Sequence, residues 1–154
     1  MTDSKDIVTV ERLIPAPASD IFDLIADPSR HQDIDGSGTV RSAKGGSERL
    51  ALGSTFGMAM KMGMPYSMQN TVIEFEENRL LAWQTRGPGR IGSHVGGRIW
   101  RYELDEADGG TLVKESWDIS QESFATKPVV RMGAESTRKA MAATLERIEK
   151  VLAG

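Results

Sequence analysis

Val130, Ala134, Thr137, Met141, Leu145, Ile148 and Leu152 recur at intervals of three and four. That spacing lines one face of an α-helix. It predicts a single C-terminal helix, with Thr126 as candidate N-cap and Pro128 just inside the start. Glu135–Lys139 and Glu146–Lys150 place the acid four residues ahead of the base, the stabilising orientation. A helix of about 25 residues at roughly 1.5 Å each is a rod of roughly 37 Å. A rod that long needs a broad apolar surface to lie on.

The preceding chain offers one. From about Thr39 to Ser120 the pattern is strand-like, clearest over Ser54–Met64. There Phe56, Met58, Met60, Met62 and Met64 share one face, and Thr55, Gly57, Ala59, Lys61 and Gly63 the other, until Pro65 breaks the run. Tyr66–Phe75 and Leu80–Arg86 flank Glu77-Asn78, a hairpin signal, and Arg98–Leu104 and Thr111–Ile119 flank the polar turn Asp105–Gly110. Ahead of these, Ile7–Leu13 reads as a strand ended by Pro15 and Pro17. Ser19–Ala26 reads as a short helix with Ile21, Phe22, Leu24 and Ile25 on its apolar face. A second short helix, about Pro28–Ile34, starts from Asp27 as N-cap and stops at Gly36-Ser37-Gly38. With no repeat or linker in its 154 residues, the chain is expected to form one domain, residues 1–154, of the α+β class.

Composition narrows the partners. Lys plus Arg number 19 and Asp plus Glu 22, for a net charge of −3, which argues against a general nucleic-acid binder. The absence of Cys excludes disulfides and thiolate metal sites. The charge-free stretches Leu50–Met60 and Met62–Ile73 are too short to span a bilayer, and no apolar signal segment follows the polar start, so a soluble cytoplasmic protein without membrane insertion is expected. Of 8 Met, five fall between Met58 and Met68, and of 16 Gly, twelve lie between Gly36 and Gly97. Glycines in strands mark bends and close approaches, and methionines fill irregular apolar space, which together predict a curved sheet around something loosely specified.

Alternation also predicts which side chains face inward. With Leu104 opposite Thr111, Tyr102 meets Val113, Trp100 meets Glu115 and Arg98 meets Trp117, so that Arg98 stands diagonally across from Glu115. The hairpin at Glu77-Asn78 pairs Val72 with Trp83 and Asn70 with Thr85. The concave wall then carries Met58, Met60, Met62, Met68, Asn70, Trp83, Thr85, Arg98, Trp100, Tyr102, Glu115 and Trp117. A wall of aromatic and thioether groups with a few polar ones has the make-up of a small-molecule pocket. An Arg98–Glu115 pair there either holds the polar end of a ligand or is a structural ion pair, unless Arg98 reaches solvent at the mouth.

The order of elements, with Ile14-Pro15-Ala16-Pro17-Ala18 through Ile21-Phe22, Ala26-Asp27-Pro28, Arg79-Leu80-Leu81-Ala82-Trp83 and the hairpin Trp100–Leu104 to Gly110–Val113, resembles the SRPBCC superfamily of START-like and polyketide cyclase/dehydrase-like proteins. His31–Val40 is similar to a bacterial subgroup of the latter. The resemblance spans nearly the whole chain. It implies a helix-grip fold, in which a curved antiparallel seven-stranded sheet and two short helices are closed by one long C-terminal helix over an apolar cavity.

Other motifs carry less. Gly87-Pro88-Gly89-Arg90-Ile91-Gly92 matches G-x-G-x-x-G but lacks the helix a dinucleotide site needs, and the helix-grip fold would put it at the cavity entrance as a gate. His31, Asp33 and Asp35 fail the calcium-loop spacing, and two His are too few for a zinc site, so no metal or cofactor is expected. His31 with Asp35 remains a candidate proton-transfer pair. The leading expectation is binding of a hydrophobic or aromatic small molecule, lipid or polyketide-like, by a monomer or homodimer. The alternative is a cyclase- or aromatase-like enzyme with Arg98, Glu115, His31, Asp35 and Tyr102 as candidate catalytic residues. A protein-interaction role, known among SRPBCC relatives, comes third.

Overall fold

The structure, a computed structural model, describes residues 6–35, 40–44, 49–62, 64–87, 96–124 and 126–153; of residues 40–44, 58–62 and 64–68 it describes the backbone. Among the described residues seven segments are extended: β1 (Ile7–Ile14), β2 (Val40–Lys44), β3 (Thr55–Met62), β4 (Met64–Glu76), β5 (Leu80–Arg86), β6 (Gly96–Ala107) and β7 (Gly110–Asp118). Four are α-helical: α1 (Ala18–Ile25), α2 (His31–Ile34), α3 (Lys127–Met132) and α4 (Ala134–Ala153). Neighbouring strands are antiparallel throughout, in the order β1-β7-β6-β5-β4-β3-β2. The class is therefore α+β, with an open antiparallel sheet and a long C-terminal helix. Among the described residues no helix is long and apolar enough to cross a membrane.

The chain leaves β1, packs α1 and α2 beneath the sheet, and returns as successive hairpins until β7 closes against β1. All four expected apolar residues of α1 are buried. Phe22 meets Phe75 of β4 edge to face at 5.5 Å between centroids. Asp27 caps the next turn as expected, its Oδ1 accepting from the Ser29 amide at 3.0 Å. That turn is a short 3₁₀ segment, Pro28–Arg30, running directly into α2. Glycines 36 and 38, expected to end it, lie outside the described residues.

Three expectations about element boundaries change. Pro65 does not end a strand: it lies within β4 opposite Lys61, and the chain reverses between Met62 and Met64. The C-terminal rod is two helices, because the backbone leaves helical geometry at Gly133. Its interior segment, α4, has 20 residues, about 30 Å. Thr126 is the N-cap of α3, yet its hydroxyl donates to Glu122 rather than capping the backbone. A bulge between Val72 and Glu74 shifts the β4 register so that Val72 and Phe75 both end up on the face that packs inward.

Met141, Thr144, Leu145 and Ile148 of α4 are buried against this face. The main core gathers Ile14, Phe22, Leu81, Leu104, Val113 and Ile148, and a smaller one Val8, Trp117, Ile119 and Met141. Arg12 of β1 donates from Nε to Glu149 Oε1 at 2.8 Å and so ties the edge of the sheet to the helix.

Candidate functional site

The β6–β7 turn decides how the inner wall is assembled. Ala107 pairs with Gly110, leaving Asp108-Gly109 as a two-residue turn. The sequence reading assumed a longer turn, so its register is off by two residues. Tyr102, not Trp100, stands opposite Glu115; Trp100 stands opposite Trp117 and Leu104 opposite Val113. Because the slip is even, every side chain keeps its expected face. The β4–β5 pairs Val72–Trp83 and Asn70–Thr85 occur as expected. Thr85 Oγ1 donates to Asn70 Oδ1 at 2.6 Å, and both residues are buried.

Register brings β5, β6 and β7 into one row. Trp83 is opposite Trp100, Leu81 opposite Tyr102, and Thr85 opposite Arg98. Trp100 and Trp117 have centroids 6.3 Å apart. Trp83 lies 5.9 Å from Tyr102, stacks on the His31 imidazole at 5.2 Å, and meets Phe56 edge on at 5.4 Å. Phe56 is a wall member that sequence reasoning left out, although the alternation had placed it on the right face. Met58 stands opposite Met68, Met60 opposite Tyr66 and Met62 opposite Met64; the side chains of these methionines lie outside the described residues.

At the centre of the row is Glu115, 3% exposed. The Tyr102 hydroxyl donates to its carboxyl, while Glu115 Oε1 has no hydrogen-bond partner among the described residues. Burial, with a smaller push from the Asp35 charge, raises the carboxyl to about 8 against the opposing pull of the Tyr102 hydrogen bond. Tyr102 is itself pushed well up, first by burial and then by Glu115. His31 is buried, and its Nε2 donates to the Ile25 carbonyl at 2.7 Å. Burial holds the imidazole below its usual range, opposed by that hydrogen bond and by the Asp27 and Asp35 charges. Asp35, at the end of α2, therefore acts on all three groups.

Arg98 does not pair with Glu115. Its Nε and Nη2 bond Glu122 Oε1 and Oε2, each at 3.2 Å, and Thr126 Oγ1 donates to the same carboxylate at 2.6 Å. Glu122 escaped sequence reasoning because it sits in an irregular connector with no periodicity to mark it. The connector is seated by a close backbone approach: a Cβ on Gly97, at φ +115°, would stand 2.2 Å from the Gln121 carbonyl oxygen. The Gly-rich stretch read as a gate falls at residues 87–92, of which 88–92 lie outside the described residues.

A surface depression of about 890 Å³ lies away from this wall, at the turns lined by Pro17, Asn78, Arg79, Asp105 and Gly110. None of the expected wall residues lines it.

The sequence profile of the family described as polyketide cyclase/dehydrase and lipid transport matches residues 5–153. An uncharacterized protein of Mycobacterium tuberculosis, Rv0088, is 36% identical over 107 residues, 68% of this chain. The match covers 44% of that relative, so the chain spans less than half its length. The crystal structure of CV1439 from Chromobacterium violaceum superposes with a TM-score of 0.72 at 12% identity, over 96% of this chain and 97% of that one. DynU16, a protein from the dynemicin biosynthetic locus, superposes with a TM-score of 0.66 at 14% identity, over 96% of this chain and 47% of that one. At such identities the two structures share the fold alone.

Proposed function

The chain belongs to the polyketide cyclase/dehydrase and lipid transport family, an SRPBCC-type family, and from that premise we propose that it binds an apolar or aromatic small molecule between the inner face of its sheet and α4. One observation carries the reading: Glu115 Oε1 is buried beside an aromatic wall without a partner among the described residues. A buried polar atom left unpaired costs about 1–3 kcal/mol, so a position that retains one is accounted for when a ligand meets it. Trp83, Trp100, Trp117, Phe56 and Tyr102 supply flat apolar surface, and Asn70, Thr85 and Glu115 supply a few fixed polar atoms, the usual division of labour in a ligand site. The helix-grip fold, with its curved sheet and enclosed cavity, belongs to the same reading.

Native mass spectrometry and thermal-shift measurements against a panel of polycyclic aromatics, polyketides and lipids test it. We expect saturable stabilisation by at least one apolar class, weakened by Trp83→Ala. Stabilisation by none of them overturns it.

The second reading is a cyclase- or aromatase-like enzyme. It draws on the cluster of titratable groups, Tyr102, Glu115, Asp35 and His31, which shaped-cavity proton transfer requires. Arg98 drops out of that set because it is committed to Glu122. DynU16, from a biosynthetic locus, is a structural neighbour in keeping with such chemistry. Loss of turnover in Glu115→Gln with ligand binding intact would favour the enzyme.

A further inference from the structure

Resting on that binding reading, we propose that the site selects uncharged ligands carrying an acceptor oxygen, such as aromatic ketones and quinones, because the buried Glu115 carboxyl, flanked by Tyr102, presents to the interior an Oε1 that has no partner among the described residues. It thereby discriminates against carboxylate ligands, free fatty acids included.

Three observations converge. First, the Tyr102 hydroxyl donates to the carboxyl, and Oε1 is the oxygen without a partner among the described residues. Tyr102 and Glu115 are directly opposite on adjacent strands, so the phenol fixes the carboxyl from the side and Oε1 is the position left for a guest. Second, no cation among the described residues acts on the carboxyl. The groups acting on the carboxyl are Tyr102 from β6 and Asp35 from α2; β1 presents Val10 opposite it. Among the described residues, the arginines of the neighbouring strands are engaged elsewhere, Arg98 with Glu122, Arg12 with Glu149 and Arg101 with Glu74. An ionised guest carboxylate would lie against the Glu115 carboxyl, on which the Asp35 charge already acts unfavourably, and buried charges persist only when paired. Third, burial raises the Glu115 carboxyl to about 8, which favours its protonated form at neutral pH. A protonated carboxyl has one O–H to donate, and apolar sites use such neutral acids as hydrogen-bond donors to ligand oxygens.

The test uses the full chain and matched probes on two frames, naphthalene and anthracene: the parent hydrocarbon, its 2-acetyl ketone, its 2-carboxylate and its 2-aminomethyl derivative. Affinities are measured by calorimetry at pH 6.5 and 9. In the wild type at pH 6.5 we expect the ketone to bind about 10-fold more tightly than the hydrocarbon, the value of one good hydrogen bond, and the carboxylate more weakly than the hydrocarbon. The ketone's advantage should shrink at pH 9. Glu115→Gln, whose amide donates without titrating, should keep that advantage at both pH values, and Glu115→Leu should lose it while still binding the hydrocarbon.

A ketone that binds no better than its hydrocarbon overturns the inference and leaves the binding reading standing. Preference for the carboxylate or the ammonium derivative does the same. Failure of every probe on both frames, together with the lipid and polyketide panel above, overturns the binding reading and this inference with it. Titration of the Glu115 carboxyl by carbon NMR in the free chain gives an independent check: a midpoint below 6 sinks the inference whatever the ligands do.

Discussion

Arg98 and Glu122 are held together across 24 residues of chain, with both guanidinium contacts at 3.2 Å and the Glu122 side chain 0% exposed. The pair joins the start of β6 to the connector that leads into α3, beside the place where Gly97 and Gln121 approach too closely for a side chain. The residue that looked in sequence like a polar anchor for ligand is thus a clamp on the segment flanking the site.

Removing one partner of such a pair strands the other in the interior. Arg98→Met should destabilise the chain by about 3 kcal/mol, because the buried Glu122 side chain is then left, among the described residues, with Thr126 alone to satisfy it. Adding Glu122→Gln should recover more than half of that loss. Urea denaturation of the two single variants and the double variant measures the coupling, and an additive result would show that the pair contributes nothing beyond its parts.

Glu115 makes stability fall as pH rises. Its folded carboxyl sits at about 8 against an ordinary 4.5, so between those values the folded state binds more protons than the unfolded one. The contribution is whole below pH 4.5 and lost on passing through about 8. At about 1.4 kcal/mol per pH unit the full loss is of order 5 kcal/mol. Glu115→Gln should lack this slope and exceed the wild type in stability at pH 9, as read from denaturation midpoints across the pH range.

His31 works in the opposite direction. Its imidazole is held below the ordinary 6.5, so the unfolded chain takes up the proton first and stability falls as pH drops below 6.5. His31→Gln, which keeps a donor for the Ile25 carbonyl, should flatten the acid side of the profile. An unchanged acid limb would mean that the imidazole is not protected from protonation.

Gly97 and Gly53 separate crowding from backbone strain. Both have positive φ, +115° and +86°, but a Cβ at Gly53 meets nothing within 4 Å whereas one at Gly97 stands 2.2 Å from a carbonyl oxygen. Gly53→Ala should cost about 1 kcal/mol from its left-handed backbone alone. Gly97→Ala should cost at least about 3 kcal/mol and loosen the connector that carries Glu122. Thermal unfolding of the two variants checks the difference.

What was legible in the sequence was whatever repeats along the backbone. The period of two assigned Trp83, Asn70, Thr85, Tyr102, Glu115 and Trp117 to one face, and it did so even with the β6–β7 register wrong, because a two-residue slip returns each side chain to the same side. The three-and-four spacing marked Met141, Leu145 and Ile148 as the buried seam of the helix. These are consequences of local geometry, carried by each short stretch of chain on its own. Which partner each polar group acquired was a matter of long-range packing. The length of one turn put Tyr102 rather than Trp100 against Glu115; an aperiodic connector delivered Glu122 to Arg98; the docking of α2 laid His31 on Trp83. Desolvation, and with it the upward push on the Glu115 carboxyl, arises only when strands and helices remote in sequence close over the same group.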